Sequence, residues 1–138
     1  MEIGLHNVMG FFYEYNKKYF GGILPLPNFG LIHSYRTVGF FSCDFDDDGN
    51  MINQKIEMSD NYDYLDNQFK DILLHEMIHY YLAYVGLDVQ GLHGEQFLNM
   101  ANEFNRRYHT NITPMVDINE YKIKRGKSYL LYKISSLF

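Results

Sequence analysis

The segment that most constrains this chain is residues 66–85, DNQFKDILLHEMIHYYLAYV. It contains no Pro or Gly, it is long enough for five turns of helix, and after Phe69 its apolar side chains fall on nearly every side. A helix that is apolar all round cannot lie on a surface, so it must run through the core with other elements packed against it. One position breaks the pattern. In the stripe that continues from Phe69 through Ile72, Leu73, Tyr80 and Ala83, the carboxylate of Glu76 stands where an apolar residue is expected. A buried, unpaired charge costs several kcal/mol, and a bound divalent ion offsets that cost.

The flanking sequence supplies partners for such a helix. Leu5, Val8, Met9, Phe12, Tyr15 and Tyr19 recur at helical spacing, and Gly21-Gly22, Pro25 and Pro27 end the pattern. From Phe29 to Met58, the runs FGLIH and TVGFF and the alternation of Ile52, Ile56 and Met58 with Asn53, Lys55 and Glu57 predict a small antiparallel sheet. The acidic link DFDDDGN predicts a hairpin tip. Asp44, Asp46, Asp48 and Gly49 match the opening of a calcium loop, but Lys55 stands where that loop needs a bidentate Glu, so the hairpin is preferred. Gly86 suits the end of the core helix, the loop LDVQGL follows, and a further helix carries Phe97, Met100, Ala101, Phe104 and Tyr108 on one stripe. Pro114 lies beyond its end.

Within the core helix, His75-Glu76-Met77-Ile78-His79 has the His-Glu-x-x-His pattern. Residues four apart lie one turn apart on one face, so two imidazoles converge on one ion while the Glu reaches a water beside it. With six His and seven Glu in the chain, chance would produce the pattern in about 1% of such sequences. Coincidence is therefore a poor account of it. Catalytic zinc takes a third protein ligand. Leu82 and Val85 exclude the arrangement in which Gly and His follow three and six residues after the second His. His93, followed by Gly94 at the start of the next helix, is the leading candidate, with Gly94 expected to let the two helices approach closely. Glu95 is its rival, and Glu103 is a weaker one deeper in the helix. His6, His33 and His109 read as surface or capping residues.

Cys43 is the only cysteine, so neither an intrachain disulfide nor a Cys-x-x-Cys zinc knuckle is available and a metal would rely on His and carboxylates. The N-terminus lacks a secretory pattern and no apolar run reaches about 18 residues. Those features predict a cytoplasmic chain with no membrane partner. Charge is uneven: residues 1–120 carry 7 Lys/Arg against 17 Asp/Glu, while residues 121–138 carry 5 basic residues and no acidic one. Lys122, Lys124, Arg125, Lys127 and Lys133, interleaved with Tyr121, Tyr129 and Tyr132, are candidate single-strand DNA contacts. YKIK and SYLLYKI also read as a hairpin about Arg125-Gly126, and the basic tail has packing on the acidic body as its structural alternative.

YNKKYFGGILPLP, IHSYRTVGFF, IEMS, ILLHEMIH and HGEQF together resemble the SprT-like family over roughly residues 5 to 113. That family comprises zinc metallopeptidase domains, including bacterial SprT-like proteins and the eukaryotic DNA-repair protease Spartan. The resemblance implies zinc ligands at His75, His79 and His93, and, in the Spartan branch, proteolysis of proteins bound to DNA. Two departures stand out. The tail EYKIKRGKSYLLYKISS has no cysteine where many members carry a zinc ribbon, and His33-Ser34 replaces a common Trp-Ser.

The expectation is an α+β minimal zincin spanning residues 1–115, with a first helix, a small antiparallel sheet, and a His-Glu-x-x-His core helix paired with the helix that brings the third ligand. Residues 116–138 form its basic tail. The expected activity is that of a zinc metalloendopeptidase with one Zn2+ per chain, Glu76 as general base and a protein or peptide as substrate. The alternative is a catalytically silent metal-binding or nucleic-acid-associated module of the same fold.

Overall fold

The computed structural model describes residues 1–87 and 93–124. In chain order the elements are α1 (Leu5–Tyr19), β1 (Asn28–Ile32), β2 (Gly39–Phe45), β3 (Met51–Ser59), β4 (Tyr62–Asp63), α2 (Asp66–Tyr84), α3 (Glu95–Tyr108), a 3-10 turn (Ile118–Glu120) and β5 (Lys122–Ile123). The fold is α+β, as the sequence predicts. Most of the LDVQGL link, residues 88–92, lies outside the described residues. No helix among the described residues is long and apolar enough to cross a membrane.

α2 occupies the place that its all-round apolarity requires. Phe69, Leu73, Leu74, Met77, Ile78 and Tyr80 are fully buried, between the sheet on one side and α1 and α3 on others. Tyr80 shows how the layers meet. Its ring stacks 5.1 Å from Phe41 of β2 and 6.3 Å from Phe12 of α1, and its hydroxyl donates to the Pro25 carbonyl at 2.6 Å. The helix stops at Gly86, whose φ of 79° lies in the left-handed region. There the Gly86 N–H donates to Ala83 and the Leu87 N–H to Leu82, at 3.2 and 2.7 Å, the paired bonds of a Schellman cap.

α1 has the predicted bounds but a narrower buried face. Val8, Phe12, Tyr15 and Asn16 are buried, whereas Leu5 and Met9, expected in the apolar stripe, are exposed. The buried Asn16 takes their place in the organisation of the chain. Its amide donates to the Leu24 carbonyl and accepts from the Leu24 N–H, at 2.9 and 3.2 Å, which fastens the return of the chain after Gly21-Gly22.

The sheet departs from expectation in direction. Its order is β1-β3-β2, with β2 antiparallel to β3 and β1 parallel to it, so the sheet is mixed where an antiparallel one was predicted. Alternation of apolar residues reports which face of a strand is buried and carries no information on the direction of its neighbour. The hairpin itself forms as read: Asp46 Oδ1 accepts from the N–H of Asp48 and of Asn50, and Gly49 takes a φ of 81°. β1 then finds the only remaining edge of β3. The residues between β1 and β2 cross over the end of β3, where the Ser59 hydroxyl donates to the Ser34 carbonyl at 2.5 Å and the Ser59 N–H donates to Val38 at 2.8 Å. β2 is left as a sheet edge, lying against α2.

Beyond α3 the chain returns to the sheet end of the molecule. β5 pairs antiparallel with β4, Tyr62 opposite Ile123 and Asp63 opposite Lys122. Lys122 lies 3.7 Å from the Asp63 carboxylate, and Tyr121 packs edge-on to Tyr62 and Tyr64. The second strand of the hairpin expected about Arg125-Gly126, with Arg125, Lys127, Tyr129, Tyr132 and Lys133, lies outside the described residues.

Candidate metal centre

His75 and His79 sit one turn apart on α2, and His93 precedes the first turn of α3. Their three rings form a triangle with every pair of centroids 4.9 Å apart, and one ring nitrogen from each lies within 4.8 Å of the others. Beneath them is Phe97, 4.7 Å from His75, 4.9 Å from His93 and stacked at 4.5 Å on His79. The site grades from buried His79 through half-buried His75 to exposed His93. It therefore has an apolar floor and an open mouth.

The donor set suits a divalent metal. His75 Nδ1 is 2.8 Å from the Thr113 carbonyl. A carbonyl only accepts, so Nδ1 carries the proton and Nε2 presents its lone pair to the centre. Burial, with His79 and His93 adding to it, pushes the His75 imidazole down to about 3, against the raising effect of the Thr113 carbonyl, so the ring is neutral at physiological pH and able to ligate. His75 Nε2 lies 3.1 Å from His93 Nε2. Two nitrogens held tetrahedrally by one zinc at ordinary bond lengths are roughly 3.3 Å apart. The three imidazoles form a group that could hold a metal ion.

Glu76 lies beside the imidazoles on the side of α2 that faces β2. It is buried, and burial pushes its carboxyl up to about 8, with a hydrogen bond from the Phe41 backbone N–H acting in the opposite direction. Its Oε2 is 4.0 Å from His75 Nε2. Gly39 makes this position available. A Cβ at residue 39 would stand 2.9 Å from Glu76 Oε2 and 2.9 Å from Ile72 Cγ2, closer than real Cβ contacts come. The carboxylate therefore rests on bare backbone of the edge strand.

A cleft of about 670 Å³ opens over these residues, walled by residues 36–41 on one side and by parts of residues 111–121 on the other. The remaining sequence candidates fall outside the triangle. Glu95 is exposed at the start of α3, and exposed Glu103 is paired with Arg106 at 2.6 Å. His6, His33 and His109 are exposed, with His33 2.5 Å from Asp60. Gly94 has a different role from the one predicted. Among the described residues a side chain there would meet nothing within 4 Å, so it serves no close approach to them; it caps α3, its carbonyl accepting from the Leu98 N–H at 3.0 Å. Of the basic candidates, Lys122 faces Asp63, the Lys124 N–H donates to the Asn61 carbonyl, and Arg125, Lys127 and Lys133 lie outside the described residues.

Three features of the site were not read from the sequence. The Thr113 carbonyl is main chain and leaves no signature in residue type. Phe97 was read as packing alone. Gly39 did carry a signal, since an isolated Gly within an apolar strand marks a close backbone approach.

A comparison with curated proteins finds no match. A family model described as the SprT-like family matches residues 8–118, a stretch that contains all three imidazoles, Glu76, Gly39 and Thr113. With a mixed sheet, a buried His-Glu-x-x-His helix and a third His just ahead of the next helix, this α+β chain belongs to the SprT-like family.

Proposed function

We propose that this chain is a zinc metalloendopeptidase in which His75, His79 and His93 hold the ion and Glu76 is the general base. The observation that carries the reading is the convergence of three imidazoles on one point with a buried carboxylate beside them. When bound, zinc supplies Lewis acidity, lowering the pKa of water to about 7 and polarising a carbonyl. The protein's own part is positional and protonic. His75 offers a fixed, neutral Nε2, and Phe97 holds the three rings from below. Glu76 takes a proton from the attacking water and returns it to the nitrogen of the leaving amine.

The environment of Glu76 suits that exchange. Burial, outweighing the Phe41 N–H, holds its carboxyl at about 8, and a cation at the imidazoles lowers it from there, bringing it toward the pH at which proton uptake and release are both efficient. Gly39 and the Phe41 N–H keep the carboxylate facing the cleft. The cleft is open and large enough for a stretch of polypeptide, in keeping with a protein substrate. A silent metal-binding module would need the three imidazoles but not this carboxylate in its cradle, which favours the enzyme.

Purified protein is expected to carry one zinc per chain, and Glu76→Gln to keep it while losing turnover of an unfolded protein substrate. Activity of Glu76→Gln within tenfold of wild type would remove Glu76 from the mechanism. Full zinc content in His93→Ala together with loss in Glu95→Ala would overturn the ligand set.

A further inference from the structure

We infer that Asn105 of α3 is a positioning residue that sets His75 for metal binding by holding residues 110–113 against the site; the inference rests on the three-imidazole reading above. The contacts run in series. Asn105 Oδ1 accepts from the Ile112 N–H at 2.8 Å, and Asn105 Nδ2 donates to the Ile112 carbonyl at 2.9 Å. One side chain thus takes both main-chain polar groups of a single residue, and the Thr110 hydroxyl adds a bond to Oδ1 at 2.8 Å. The Ile112 side chain is buried, so this stretch of backbone is pinned on its apolar and its polar side together. The next carbonyl, that of Thr113, accepts from His75 Nδ1 at 2.8 Å. Fixing that carbonyl fixes the His75 tautomer and the direction of Nε2.

Only an asparagine meets these demands at this reach. Asp has no donor for the Ile112 carbonyl, and Ser cannot span the N–H and the carbonyl together. Two other contacts brace the segment: Asn111 N–H donates to Asp71 at 3.1 Å and the Thr113 hydroxyl to Met115 at 2.7 Å. Loss of Asn105 therefore loosens the Thr113 carbonyl without releasing it. α3 serves the centre twice, through the ring of Phe97 and through Asn105 two turns farther along.

The test uses the full chain with Zn2+ as probe. Affinity is measured by competition with a chromophoric chelator, and the ring-nitrogen shifts of His75 are recorded by NMR in the metal-free protein. Asn105→Ala is expected to weaken zinc binding by about tenfold, the lower end of the roughly 10- to 100-fold effect of losing an outer-shell partner, because the Thr113 carbonyl is loosened and not removed. It is also expected to move His75 from a fixed Nδ1–H form to a mixture of tautomers, which a general loss of stability would not do. Should Asn105→Ala fail to fold, Asn105→Ser, which is neutral and keeps one hydroxyl, gives the same readouts and the same direction. Wild-type affinity with an unchanged His75 tautomer in whichever of these variants folds overturns the inference. His75→Ala separates the two levels. If it loses zinc while the Asn105 variants keep it, the positioning role fails and the metal site stands; if His75→Ala itself keeps wild-type affinity, the metal-site reading fails.

Discussion

Gly39 is a residue whose importance lies in what it lacks. The Glu76 carboxylate and Ile72 already occupy the space of its missing Cβ, so an added methyl must push either the base or the edge strand away. Gly39→Ala is expected to lower kcat at least tenfold while zinc content stays at the wild-type level, measured by turnover and elemental analysis on the same sample. Wild-type kcat in Gly39→Ala would show that the contact is slack. Asp71 offers a stability counterpart. Burial raises its pKa, against the Asn111 N–H and Lys70, which lower it. A carboxyl raised on folding destabilises the native state above its folded pKa, and that cost disappears as pH falls below its unfolded value. Asp71→Asn keeps the acceptor for Asn111 and removes the charge, so its melting temperature at neutral pH should equal or exceed that of wild type. The difference should narrow as pH falls through the carboxylate range. A lower melting temperature at neutral pH, with convergence at acid pH, would reverse the sign.

At the scale of elements, the centre depends on how α3 docks on α2. Phe97 is buried and touches all three imidazoles, and Ala101 and Phe104 continue the same buried face toward the core. The ring thus joins packing energy to the geometry of the site. Truncating such a side chain removes its burial and leaves a cavity, a cost of about 3–5 kcal/mol. Phe97→Ala should show a loss of that size in urea unfolding and a weakened hold on zinc, whereas a loss below about 1 kcal/mol would mean that the floor collapses around the gap.

Across the whole molecule, charge is unevenly placed. An acidic body carries a basic tail, and the described start of that tail is engaged with the body through the β4–β5 pair and the Lys122–Asp63 contact. A role in contacting DNA would therefore fall to Arg125, Lys127 and Lys133. Removing residues 125–138 preserves the β4–β5 pair and tests that role directly. If the tail contacts single-stranded DNA, the shortened protein should lose affinity at low salt, and the affinity of the full chain should fall steeply as salt is added. Equal affinity for the two proteins assigns the tail to packing.

The core helix, the motif within it, its glycine stop and the stripe of α3 were legible along the chain because each is a local property: periodicity, spacing and the backbone freedom of Gly86. His75 and His79 converge for the same reason, since one helical turn places them together. Tertiary structure decided what local pattern cannot encode. It made β1 parallel to β3, because residues 33–38 cross the end of β3 and turn the chain back into β2, so that β1 runs opposite to β2 and hence along β3. It exposed Leu5 and Met9, because the surface available to α1 was narrower than its apolar stripe. It brought His93, 14 residues beyond His79, to the third corner of the triangle, aimed His75 with the carbonyl of Thr113, and seated Glu76 against Gly39. Each of these is a contact between residues distant in sequence, and which such contacts form is settled only when the apolar faces of the elements are packed together.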